Sequence, residues 1–209
     1  SSQQLSIPQI KTINMPKTVA DDFTFTFCNL NTIETVVLPE NITSIPDHAF
    51  CLCESLKTIV IPESVTYIDG VAFYSCSSLE TINIPDSVTL IGDYAFAKCE
   101  NLVTVNWSKN AQLAYNVFDE TKYLKNQPGG MLIIHNGTEL YRYGGEDTTV
   151  EIPEGVTNIH ELAFADTIVE KVVCPTTLTD IGTNAFASAK NLKEIEFKGI
   201  LNSLGDYAF

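Results

Sequence analysis

The stretch IPESVTYIDGVAF around Pro62 returns almost unchanged as IPDSVTLIGDYAF around Pro85, and no other feature constrains the fold as strongly. The same step of 23 residues leads back to Pro39, which opens PENITSIPDHAF, and then to Pro16, which opens the more eroded PKTVADDFTFTF. Forward from Pro85 the step lands on Ser108, where the pattern is interrupted. It resumes at Pro153 with PEGVTNIHELAF and at Pro175 with PTTLTDIGTNAF, and Lys198 begins an unfinished copy, KGILNSLGDYAF. Self-similarity at a period of this size marks an array or solenoid of stacked units.

The inward positions follow from the columns. Counted from Pro62, Val65, Ile68, Ala72, Phe73, Cys76, Leu79, Ile82 and Ile84 are apolar or small, and the copies from Pro39 and Pro85 repeat the set as far as Ile61 and Trp107. In LETINI, Thr81 and Asn83 alternate with Ile82 and Ile84, the period of a half-buried strand. Such a strand pairs with its copy next door. Parallel neighbours cannot be joined by a tight turn, so the rest of each unit is the return path: a short extended piece such as SVTYI, then GVAFYSC, long enough for a helical turn or so. Each strand ends at a proline, which has no N–H to give to a ladder. One such unit cannot cover its own apolar face; stacked units can.

The pattern LxxIxIPxxVTxIxxxAFxxCxx resembles the leucine-rich repeat of the BspA type, found in surface proteins of bacteria and some protozoa, and the likeness covers nearly the whole chain. It implies a right-handed leucine-rich repeat solenoid, formally α/β but strand-dominated. Parallel strands line one face of the ~23-residue coils, with short strands or helical turns on the other. It also implies an extracellular or cell-surface protein, adhesin-like and without a cofactor, that binds a protein or glycan partner.

Three places depart from the repeat, the smallest being a one-residue deletion after Ala163-Phe164 that brings Val169, Val172 and Cys174 one place early. At the ends, Ile10, Ile13 and Met15 fit the last inward positions of a coil whose first half is missing, and Phe209 stops just after the AF of another. A solenoid is normally closed by polar caps, so the chain reads as a piece of something longer. Between Phe118 and Pro153, DETKYLKNQPGG is followed by MLIIHNGTELYRYGG, which fits no column. The Asn136-Gly137 pair between alternating apolar runs predicts a β-hairpin, with Ile133 opposite Leu140 and His135 opposite Thr138. The domain reading is therefore N-terminal coils over 1–118, a loop and hairpin over 119–150 and C-terminal coils over 151–209, in one continuous solenoid.

Composition excludes several partners. With 26 acidic and 12 basic residues the net charge is −14, a field that repels nucleic acid. No stretch of about 18 apolar residues is present to span a bilayer, and the opening SSQQLSIPQIK lacks the layout of a signal peptide.

Candidate chemistry is sparse. Cys53, Cys76 and Cys99 share a column that holds Leu30 and Ala189 in other copies, which reads as buried free thiols. Cys174 is core in the place of Ile84, Cys28 follows Phe27, and Cys51 faces outward at the Tyr74 position. Cys51-Leu52-Cys53 lacks the second ligand pair of a metal site. His48, His135 and His160 show no partner, and His160-Glu161 lacks the second histidine of a zinc-protease helix. Asn41-Ile42-Thr43, Asn106-Trp107-Ser108 and Asn136-Gly137-Thr138 match the glycosylation triplet. Trp107 stands in the column of Leu38, Ile61 and Ile84 and reads as core.

What remains is surface. Thr35, Thr58, Thr81 and Thr104 form an outward row with Val37, Val60, Asn83 and Asn106 beside them, a nearly uncharged strip that changes to Lys171 and Val173 and then to Glu194 and Glu196. The strip is one candidate partner site. The hairpin, through His135, Asn136, Tyr141 and Tyr143, is the other, unless it serves as a covering flap. A spacer or stalk carrying another domain is the alternative function, and an enzyme with a site near the hairpin a remoter one.

Overall fold

The computed structural model describes residues 9–21, 23–107 and 111–209; the opening eight residues and the interruption read at Ser108 lie outside them. The chain divides into two compact units, Ser1–Thr121 and Lys122–Phe209.

In the first unit each full repeat makes one coil carrying two short strands. Thr12–Asn14, Thr35–Val37 and Thr58–Val60 run parallel in one ladder, with Val36 level with Ile59. Thr81–Asn83 and Thr104–Asn106 form a second, with Ile82 level with Val105. On the return path Ser44–Ile45, Tyr67–Ile68, Leu90–Ile91 and Gln112–Leu113 build a third parallel ladder. The column of Ile59, Ile82 and Val105 is buried as the alternation requires. The hydrogen-bonded row is not continuous, however: Thr58–Val60 and Thr81–Asn83 belong to separate sheets.

No helix forms around the AF pair. The segment is a string of turns in which the residue before Ala and the second residue after Phe take positive φ, as at Val71 (57°) and Ser75 (59°) or Tyr94 (55°) and Lys98 (58°). Only one α-helix occurs among the described residues, Lys122–Lys125. The turns are held across coils, the amide of each Phe donating to the carbonyl of the next coil: Phe50 to Ala72 at 2.7 Å, Phe73 to Ala95 at 2.7 Å. Coils approach so closely that a Cβ on Gly92 would sit 2.5 Å from the Gly70 amide nitrogen, a contact no side chain could relieve.

Phe50, Phe73, Phe96 and Phe118 stack through the unit with ring centroids 5.2, 5.0 and 5.7 Å apart. Offset stacks of this kind add to the burial of the rings themselves. Beside them Cys53, Cys76 and Cys99 are free and buried, and each thiol donates to the carbonyl of the preceding coil's phenylalanine, at 3.1, 3.1 and 3.0 Å. Cys51 does not face outward as expected. It is 6% exposed, a small side chain in the column between Cys28 and Tyr74, with its thiol within hydrogen-bonding reach of that of Cys28.

The second unit repeats the scheme. Thr149–Glu151, Lys171–Cys174 and Glu194–Phe197 run parallel, while Asn158–Ile159, Asp180–Ile181 and Ser203–Leu204 form the return ladder. Val173, expected on the surface, is buried: Glu151 and Glu196 flank it in register, and the Lys171 side chain reaches across to Glu196 at 3.2 Å.

The hairpin forms, and it extends a ladder. Met131–Ile134 pairs antiparallel with Glu139–Tyr143, Ile133 opposite Leu140, with Tyr141 as the extra residue of a bulge. The last pair is Ile134 with Glu139; His135 leaves the strand at φ 49° and forms, with Asn136, Gly137 and Thr138, the turn instead of pairing with Thr138 as a strand residue. Glu139–Tyr143 then runs parallel to Asn158–Ile159, Leu140 level with Ile159. Tyr143 stacks on Phe164 at 5.4 Å, the place a phenylalanine of the previous coil would occupy.

Candidate functional site

The outward row is built by strand alternation. In Thr58–Val60, Thr81–Asn83 and Thr104–Asn106 the middle residue is buried and its two neighbours are exposed, so Thr58, Thr81 and Thr104 lie along one line and Val60, Asn83 and Asn106 along another. Thr35 is half-buried and Val37 is 49% exposed. Val60 is 72% exposed, more than Val37 in the same row, and it lies beside the place where the hydrogen-bonded row is interrupted.

A cleft of about 480 Å³ lies across that break. Val60, Asn83, Asn106 and Trp107 line it, over Ile61 and Ile84, with Glu63 and Asp86 at its margin. The Asn106 Nδ2 donates to Asn83 Oδ1 at 2.7 Å, joining the two amides across neighbouring coils. Trp107, read from the sequence as core, is half-buried, its ring tilted 54° against Phe118 at 6.0 Å. It takes the column of Ile61 and Ile84 and also lines the cleft.

The margin of the strip carries charges that are already paired. Lys11 and Lys57 each bind one oxygen of Glu34, at 2.8 and 2.9 Å, which holds the Glu34 carboxyl down to about 2. In the second unit Lys171 bridges Glu194 at 2.7 Å and Glu196, so the same face there is ionic.

Around the hairpin, His135 and Asn136 are exposed, whereas Tyr141 and Tyr143 are 3% and 1% exposed. The two tyrosines belong to packing: the Tyr143 hydroxyl holds the Asp147 amide at 2.9 Å, and the Tyr141 ring lies 5.1 Å from that of His160. The histidines have partners that the sequence did not reveal. Glu139 receives His135 Nδ1 at 2.9 Å and faces His160 Nε2 at 3.7 Å, and His48 Nδ1 meets Asp47 at 2.8 Å. The sequence reading also missed Arg142, the chain's single arginine, which is buried and donates to the carbonyls of Leu162 and Ala165 at 2.6 and 3.0 Å. Its lone occurrence amid YRYGG was the available signal.

Among the described residues no set of His, Cys, Asp and Glu is arranged to hold a metal ion, and no helix is long and apolar enough to cross a membrane. Of the glycosylation triplets, Asn136 lies exposed, Ser108 falls outside the described residues, and the Asn41 amide is occupied by both backbone groups of Val19, at 2.8 and 2.9 Å.

Comparison with known proteins agrees with the repeat geometry. The model of the BspA type leucine rich repeat region matches in six copies over residues 5–127 and 140–209. Comparison with curated proteins finds no significant match. Among solved structures, a leucine-rich repeat protein from Bacteroides ovatus is similar at a TM-score of 0.63 and 21% identity, over 96% of this chain and 64% of that one. The pneumococcal vaccine antigen PcpA gives 0.55 and 19%, over 94% and 61%. A leucine rich cell surface protein from Faecalibacterium prausnitzii gives 0.48 and 33%, over 85% and 45%. The chain thus spans less than two thirds of each of these three proteins.

Proposed function

Since the chain belongs to the BspA-type leucine-rich repeat family, we propose that it is a non-enzymatic binding protein of the cell exterior that meets a protein or glycan partner on the outward strip of its first unit. One observation carries this reading. On a chain of net charge −14, the exposed strand positions Thr58, Val60, Thr81, Asn83, Thr104 and Asn106 include no ionisable side chain. Such a strip sheds water at little cost and does not repel an acidic partner. The carboxylate-rich field of the whole chain argues against nucleic acid. The exposed hairpin turn at His135 and Asn136 is the competing contact surface.

The test uses beads coated with the chain and a panel of immobilised matrix proteins and glycans. Replacing Thr81→Lys and Asn83→Lys together abolishes adhesion while the thermal midpoint stays within a degree or so, because both side chains point away from the core. Adhesion that survives this change but is lost when residues 131–143 are shortened moves the site to the hairpin.

A further inference from the structure

We propose that the cleft at the ladder break is a binding site for a neutral, hydroxyl-rich glycan, with one sugar ring set against Trp107 and its hydroxyls read by Asn83, Asn106 and the carboxylates of Glu63 and Asp86. This rests on the strip being the binding face and goes further, to the chemistry of the ligand. The volume, about 480 Å³, is that of a small-molecule site, where an apolar wall and a few converging polar groups are the rule.

The cleft sits where the parallel row stops, between Thr58–Val60 and Thr81–Asn83. Its floor is apolar, from Ile61 and Ile84, and Trp107 adds an aromatic side chain of large area, suited to the C–H face of a pyranose. The amide pair is polarised by its own hydrogen bond: with Asn106 Nδ2 given to Asn83 Oδ1, the Asn83 Nδ2 hydrogens and the Asn106 Oδ1 remain for a ligand, one donor set and one acceptor. Glu63 and Asp86 stand at the same repeat position in successive coils and can only accept when ionised. A ligand satisfying all of these offers hydroxyl donors to two carboxylates, both donors and acceptors to the amides, and an apolar face to the ring. Among the described residues that line the cleft there is no lysine or arginine, and a sulfated or sialylated sugar meets the two like charges of Glu63 and Asp86. A basic peptide would suit the carboxylates, but its binding would fade with salt.

Calorimetric titration of the 209-residue chain with neutral oligosaccharides of glucose, xylose, mannose and N-acetylglucosamine tests this, with a sulfated and a sialylated glycan and an oligolysine as comparators, at 20 and 150 mM salt. The expected result is binding of at least one neutral glycan, nearly independent of salt. It weakens tenfold or more in the Asn83→Ala, Asn106→Ala double variant at unchanged thermal midpoint, and weakens likewise in Trp107→Leu, which keeps the slot apolar. Three results overturn it: blank titrations with every neutral glycan, binding confined to charged ligands, or neutral-glycan binding that the amide double variant leaves intact. The strip itself is judged separately. It falls only if beads carrying the Thr81→Lys, Asn83→Lys chain adhere as the unaltered ones do, so a blank titration beside lost adhesion removes the glycan and keeps the strip.

Discussion

Val71 is held at φ 57°, in a column whose other members include His48, Tyr94 and Asn116 at 56°, 55° and 51°. A β-branched residue there strains against its own carbonyl, at a cost of roughly 1–2 kcal/mol that Asn largely escapes. Val71→Asn is therefore expected to stabilise the protein by about 1 kcal/mol in chemical denaturation, since the half-buried Val71 side chain gives up little packing. The cysteines behave oppositely. Cys76 was readable as core from its column, but not its bond to the Phe50 carbonyl, because a column records which sizes fit and not what a thiol touches. Cys76→Ala removes that bond and a buried sulfur and costs about 1–2 kcal/mol. Burial pushes the Cys53 and Cys174 thiols up to about 11, and burial with the neighbouring Cys28 pushes Cys51 up to about 12. Thiolates being the reactive species, titration of the native protein should show one fast thiol, the exposed Cys28, and five that react only on unfolding. A native protein that releases thiols only on reduction contradicts this.

Among the elements, the repeats were legible because stacking demands the same residue at the same offset, and the hairpin because Asn136-Gly137 suits its turn. The role of Glu139–Tyr143 was harder to see. Thr138-Glu139-Leu140 repeats the VT-x-I signature with its first residue replaced by Gly137, and it lies 19 residues before Thr157 and Ile159 instead of 23, so a fixed step passes over it. Pairing is set by register between strands, which tolerates a shortened return path. Arg142 is then the element's anchor, giving the Ala165 carbonyl a donor and the Leu162 carbonyl a second one beside the Ala165 amide. Arg142→Leu should destabilise the second unit by about 2–3 kcal/mol, the scale for a charged donor lost from buried acceptors. Faster amide exchange at Tyr143, which donates to Ala163 at 2.8 Å, should accompany it. The break between Thr58–Val60 and Thr81–Asn83 had no sequence signal, since TIV and TIN both read as good strands.

For the molecule as a whole acid exceeds base, 26 residues to 12, and several ion pairs bridge neighbouring coils. Glu34 is the clearest case. Its carboxyl is held below the ordinary value of 4.5, at about 2, first by its hydrogen bonds to Lys11 and Lys57, so its contribution is complete above about pH 4.5 and fades as the pH falls toward 2. The gap in thermal midpoint between the native protein and Glu34→Gln should accordingly be widest near neutrality and shrink at pH 3, and it should narrow in high salt because the groups are exposed. The interrupted ladder has a mechanical meaning as well. A first unit pulled apart end to end has every pair of successive main strands laced by backbone bonds except at one seam, between Val60 and Thr81. Under tension that seam is a perforation: rupture should begin there, splitting the unit into fragments on either side before any single coil unravels, and the ligand that fills the cleft would be the stitch that closes it.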